Sequence, residues 1–142
     1  MTPLVEAGAV IGAEAAARLV TAAVAKAAEL GVRINVAVVD GGGNLAAFLR
    51  MPGAFLHSIA IATDKAYTAA SFGFPSGEWR GRLEGNEPLR QGLALVPRLV
   101  MIGGGFPLVV EGRRVGGIGV SGASEEQDEA CARAALATLG LG

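Results

Sequence analysis

Across residues 11–30 the polar positions Glu14, Arg18, Thr21, Lys26 and Glu29 gather on one side of a 3.6-residue period, and alanines with Leu19, Val20 and Val24 fill the other. That pattern predicts a packing helix with one solvated face. Glu14 and Arg18 form an i, i+4 pair in the favourable order, and Gly31 stands where a helix-terminating glycine is expected. The pattern then becomes strand-like. Residues 33–40 (RINVAVVD) are rich in β-branched side chains, and residues 45–50 (LAAFLR) resume after Asp40-Gly41-Gly42-Gly43-Asn44, a turn whose glycines and asparagine tolerate positive φ. Met51-Pro52-Gly53 breaks the strand, and residues 54–71 (AFLHSIAIATDKAYTAAS) predict a second helix. Residues 78–91 (EWRGRLEGNEPLRQ) carry most of the mid-chain charge and predict one or two short helices or an irregular surface connection.

Residues 100–102, 106–110 and 113–120 predict further strands, with turns at Gly103-Gly104-Gly105 and Glu111-Gly112. Ser124 and Gln127 then form the S-x-x-Q capping-box pattern, and Glu125, Glu126 and Asp128 place negative charge at the positive end of a last helix over residues 125–139. The order is helix, two strands, helices, about three strands, helix. Short turns between successive strands imply antiparallel pairing, so the expected fold is an α+β sandwich in which an antiparallel sheet of about five strands is flanked by helices. The 142 residues are expected to form one domain with a substantial core.

Composition changes that picture in three ways. Hydrophobic residues make up 51% of the chain but aromatics only 5%, so the core must be built from small aliphatic side chains. A net charge of −1 offers no general attraction to nucleic acid or to an anionic membrane. A mean hydropathy of +0.47 is high for a monomer of this size and points to a homo-oligomer. The single cysteine, Cys131, has no intramolecular disulfide partner. The N-terminal stretch carries Glu6 and Glu14 without a basic start, and no long uncharged run is present, so a soluble cytoplasmic protein is expected.

Gly117, Gly119 and Gly122 have G-x-G-x-x-G spacing between a strand and a helix, the form that can seat a pyrophosphate on helix N–H groups. Acidic residues at that helix start would repel phosphate. The following sequence also leaves no room for the second strand of a βαβ unit. These glycines are read instead as places where a backbone or a flat ligand approaches closely.

The same stretch carries a family resemblance. Residues 116–128, with the pattern G-x-I-G-V-S-G-x-x-x-x-x-D, resemble the closing signature of the GlcG/HbpS-like haem-binding family, a group also known as the C-terminal domain of PduO-type corrinoid adenosyltransferases. Residues 36–50 (VAVVDGGGNLAAFLR) followed by Met51 are similar to the family's first hairpin. Ala62, Lys65, Ala66, Thr68 and Ala69 match its A-x-x-K-A-x-T-A helix, and residues 103–107 (GGGFP) its G-G-x-P. The resemblance spans almost the whole chain. It implies a profilin-like sandwich, oligomeric assembly, and haem or a related planar molecule as ligand.

Within the second helix, His57, Ile61, Asp64 and Thr68 fall in one narrow stripe at about 100° per residue, with Ser58 and Lys65 on its flank. His57 is the only histidine, hence the only imidazole for iron or for acid–base work. Met51, Met101, Cys131 and Tyr67 are the other side chains that could serve as axial haem ligand. Lys65 has two readings, an ion pair with Asp128 or Asp40, or a cation for a ligand carboxylate. Asp40 and Asp128 are expected to act as turn and helix-start acceptors, and Arg113 and Arg114 as a solvated hairpin tip. As a ligand-binding module, the protein would use His57 as iron ligand, Lys65 as carboxylate partner, and Thr68, Gly117 and Gly119 to line the slot. As a cofactor-free isomerase or lyase on a small organic acid or cyclic metabolite, it would use Lys65, Asp64 and His57 for proton transfer and anion stabilisation. A third expectation is an accessory assembly protein.

Overall fold

A computed structural model describes residues 1–141. The chain forms α1 (Ala13–Leu30), β1 (Asn35–Asp40), β2 (Leu45–Arg50), α2 (His57–Phe72), a 3-10 turn at Ser76–Glu78, α3 (Trp79–Arg82), α4 (Glu87–Leu93), β3 (Gly105–Val110), β4 (Arg113–Ser121) and α5 (Glu125–Thr138). The strands make one antiparallel sheet in the order β2-β1-β4-β3. Val38 is opposite Ile118 and Val39 opposite Gly117 in the central β1–β4 pair.

Side-chain alternation along these two strands divides the core. Val36 and Val38 of β1, with Ile118 and Val120 of β4, pack on the face covered by α1 and α5, against Leu19, Ala23, Ala132 and Ala135. Ala37 and Val39 point to the other face, where Ala66 and Ala70 of α2 meet them. Both central strands are covered on two sides, which explains why their hydrophobic runs are nearly continuous. The architecture is the expected α+β sandwich, and no helix among the described residues is long and apolar enough to cross a membrane.

The glycines of β4 set the depth of the α2 layer. A Cβ on Gly117 would fall on the Ala66 carbonyl, and one on Gly119 on the Ala62 carbonyl. Only residues without a side chain let the helix backbone lie this close to the sheet.

The sheet has four strands rather than about five. Residues 100–102 stay irregular because side chains of α2 and of the Ser76–Glu78 turn take their hydrogen bonds. The Val100 N–H donates to Thr68 Oγ1 at 3.0 Å, and Ser76 Oγ donates to the Ile102 carbonyl at 2.6 Å. The second helix begins at His57 and not at residue 54, since the Ala54 N–H closes a turn onto the Met51 carbonyl. The hairpin turn forms as expected: Gly43 has φ 84°, and Asp40 Oδ1 accepts from the N–H groups of Gly42 and Asn44 at 2.9 and 3.0 Å. The capping box on α5 is complete in both directions, with Gln127 N–H donating to Ser124 Oγ and Ser124 N–H to Gln127 Oε1.

Candidate functional site

The polar groups of α2 divide into three environments. Lys65 turns inward beside the glycines of β4. Its Nζ donates to the Val120 carbonyl at 2.9 Å and to Asp128 Oδ2 at 3.2 Å, with the two charged side chains only 3% and 4% exposed. Asp128 Oδ1 accepts from the Ala123 N–H at 3.0 Å. Burial pushes the Asp128 carboxyl above its ordinary value, and Lys65 and the Ala123 N–H offset this only in part. Of the two partners expected for Lys65, Asp128 is therefore the one it meets. Asp40 stays in its own turn, held below its usual range by the Asn44 N–H first and then by the Asn44 side chain and Gly42 N–H. The Lys65 ammonium is thus engaged by two internal partners, the Val120 carbonyl and Asp128.

His57 lies at the opposite extreme. It is the first residue of α2, exposed, and no group among the described residues is hydrogen-bonded to its ring. Around it, Phe55 and Leu56 are 67% and 70% exposed, and Ile59 is also open to solvent. Two cations flank the turn that feeds this helix end. The Arg33 guanidinium donates to the Pro52 carbonyl, and Arg50 Nη2 donates to the Ala54 carbonyl at 2.9 Å. The turn itself is tied to the sheet by Asn35 Nδ2, which donates to the Phe55 carbonyl at 3.0 Å.

Asp64 and Thr68 make the third environment, about two and three helical turns, roughly 10 and 16 Å of helix axis, beyond His57. Asp64 Oδ1 accepts from Arg98 Nε at 2.9 Å, and the Arg98 guanidinium lies 3.7 Å over the Tyr67 ring. The Thr68 hydroxyl donates to the Arg98 carbonyl at 2.9 Å while accepting from Val100. Arg98 adopts φ 65°, a left-handed conformation that costs a residue with a side chain roughly 1–2 kcal/mol. Nothing in the hydrophobic pattern marks Arg98, because it sits in an irregular connection whose backbone angles no local periodicity encodes. The Tyr67 ring also abuts Gly43, where a Cβ would come within 2.5 Å of the ring.

Lys65, Asp64 and His57 are thus not gathered around one pocket, and the His57–Asp64–Thr68 stripe separates at its ends. Gly117 and Gly119 are spent on admitting α2, and Gly122 takes φ 134° against the Arg33 carbonyl. Among the other axial ligands considered, Met51 Sδ accepts from the Ile34 N–H at 3.4 Å. Cys131 is buried, and that burial, helped by Asp128, raises its thiol to about 11, so the thiolate is disfavoured. No group of three or more histidine, cysteine or acidic side chains fit to hold a metal ion occurs among the described residues.

Comparison with known proteins adds family context to this geometry. Residues 11–137 match the family model described as haem degrading protein HbpS-like. A 15.0 kDa protein from the dhaT–dhaS intergenic region of Citrobacter freundii is 39% identical over 124 residues, covering 86% of this chain and 87% of that one. Among solved structures, HbpS superposes with a TM-score of 0.87 at 38% identity, covering 96% of this chain and 95% of that chain. A structure described as a PduOC:heme complex superposes with a TM-score of 0.81 at 33% identity, covering 94% of this chain and 97% of that chain.

Proposed function

This chain belongs to the HbpS-like family, and from that premise we propose that it binds haem, or a related planar molecule, on the open surface around His57. One observation carries the reading: the sole imidazole is exposed and unpartnered at the start of α2, in a segment that also exposes Phe55, Leu56 and Ile59. Those residues fit the group. Bound haem would bring an iron that accepts an imidazole nitrogen as axial ligand. Phe55, Leu56 and Ile59 would supply apolar contact and keep water from the ring, and Arg33 and Arg50, which bond the turn before His57, would meet its carboxylates. Lys65 contributes by holding α2 to the sheet. A flat ligand on an open surface has one face covered, so a second copy of the chain supplies the other wall, in keeping with the apolar character of the exposed segment. The haem-bound PduOC neighbour supports this reading by its fold. The alternative of a cofactor-free isomerase or lyase would use Lys65, Asp64 and His57 together, and their three separate environments favour it less.

Titration of the purified protein with haemin tests the proposal. The expected result is a saturable Soret band, shifted and weakened in His57→Ala, with reduced affinity but an unchanged band position in Arg50→Ala. A band that titrates identically in parent and His57→Ala would overturn the assignment of the iron ligand. Absence of saturable binding would overturn the haem reading itself.

A further inference from the structure

We propose that Arg98 heads a second ligand site, separate from the surface around His57, which takes a small monocarboxylate with an apolar body. The guanidinium is held in one plane by two contacts, the Nε–H to Asp64 Oδ1 at 2.9 Å and the Tyr67 ring face at 3.7 Å. Its two terminal nitrogens have no acceptor among the described residues. Two parallel N–H donors fixed in direction are the fork that a carboxylate meets in bidentate fashion, and pre-setting the plane removes much of the ordering cost of binding.

The fork borders a cleft of about 240 Å³ between α2 and the 96–99 connection. Tyr67 and Ser71 are among its polar lining residues, and Phe72, Val96, Pro97 and Leu99 among its apolar ones. This is smaller than the roughly 300–1,000 Å³ of sites for drug-sized molecules, so it suits a small metabolite. Asp64 already shares the positive charge of Arg98, which favours a monoanion over a phosphate dianion.

The backbone supports a role for this side chain beyond the fold. Arg98 holds φ 65°, where glycine is the unstrained residue, and what the backbone there supplies to Thr68 is a carbonyl that any residue would provide. A strained non-glycine residue that lines a cleft and whose carbonyl is structural is the arrangement expected of a positioned binding group.

The test uses the haem-free protein, so its outcome is independent of the haemin titration. Isotope-labelled protein is titrated with benzoate by NMR, with benzyl alcohol and inorganic phosphate as comparison probes. Benzoate should produce saturable shifts at Tyr67, Ser71, Arg98 and the Arg98 Nε–H, with both comparison probes at least about tenfold weaker. Arg98→Gly, which relaxes the backbone while removing the fork, should keep the circular dichroism spectrum and lose the benzoate response. Arg98→Lys, which keeps the charge without the planar fork, should bind roughly tenfold more weakly. No saturable benzoate shifts in the parent, shifts centred away from this cleft, or a response that persists in Arg98→Gly would each overturn the proposal.

Discussion

Lys65 Nζ lies 3.2 Å from Asp128 Oδ2, in a pair almost wholly withdrawn from solvent that joins α2 to the first turn of α5. The two helices cover opposite faces of the sheet, so the lysine reaches past the glycines at the end of β4 to make the contact. Gly104 shows how tight that passage is, because a Cβ there would come within 2.9 Å of the ammonium. The same ammonium holds the Val120 carbonyl, so helix, strand end and following helix share one charge.

Removing one partner of this pair leaves the other buried and uncompensated, which typically costs about 3–5 kcal/mol. Lys65→Met and Asp128→Leu are each expected to lower stability by that order. The double variant should recover most of the loss, since an apolar pair of similar volume carries no desolvation penalty. Urea unfolding of the four proteins measures the coupling directly.

Acid titration should separate Asp128 from the other carboxylates. Its folded-state value is raised by burial, so the folded chain binds that proton more tightly than the unfolded chain. The contribution to stability is therefore present below the ordinary value of 3.8 and lost as pH rises through the raised one. Asp40 and Glu125 run the other way. The Asn44 N–H lowers the first, and the Gly103 N–H with Arg80 lowers the second, so their contributions are lost as pH falls. Asp128→Asn removes only the opposing slope. Its stability should decline more steeply than the parent's as pH falls toward 3.8, as read by urea midpoints across an acid series.

Gly117→Ala and Gly119→Ala should each destabilise by about 1–3 kcal/mol or more, because the new methyl meets a helix carbonyl and not a movable side chain. Gly92 in α4 has open space around it, and Gly92→Ala should stabilise by about 0.5–1 kcal/mol. Thermal unfolding of the three variants distinguishes glycine kept for close approach from glycine that is merely tolerated.

Phe55→Asp and Leu56→Asp place charge on side chains that one chain leaves exposed. Chain stability should change by no more than about 0.5 kcal/mol. Haemin affinity and the oligomeric mass measured by light scattering should both fall, since the proposed ligand and the second copy share this segment. Unchanged affinity and mass would separate the segment from both roles.

Much of this architecture is legible in the chain itself, since helices and strands are read from where small apolar residues recur. The 3.6-residue period of α1, the β-branched run of β1 and the Ser124–Gln127 box depend on neighbours close in sequence, and each appears where local chemistry places it. The order of elements likewise carries the antiparallel sandwich. The missing fifth strand shows where local reasoning ends. Residues 100–102 have strand-forming side chains, yet Thr68, 32 residues away from Val100, takes the backbone N–H a ladder would need.

The site depended still more on distance. The sequence alone determined that α2 carries a lone histidine, a lysine, Asp64 and Thr68 among its polar residues, and that glycine dominates β4. Only the tertiary structure decided that Lys65 is buried against Asp128, that His57 is open, and that Asp64 and Thr68 hold an arginine from another segment. Side-chain periodicity specifies direction around one helix axis to within a fraction of a turn, but what a side chain meets depends on the sheet and loops brought against it. At Gly117 and Gly119 the missing side chains let α2 settle onto the sheet. At Arg98 a left-handed backbone, invisible to any hydrophobic pattern, aims the guanidinium at Tyr67.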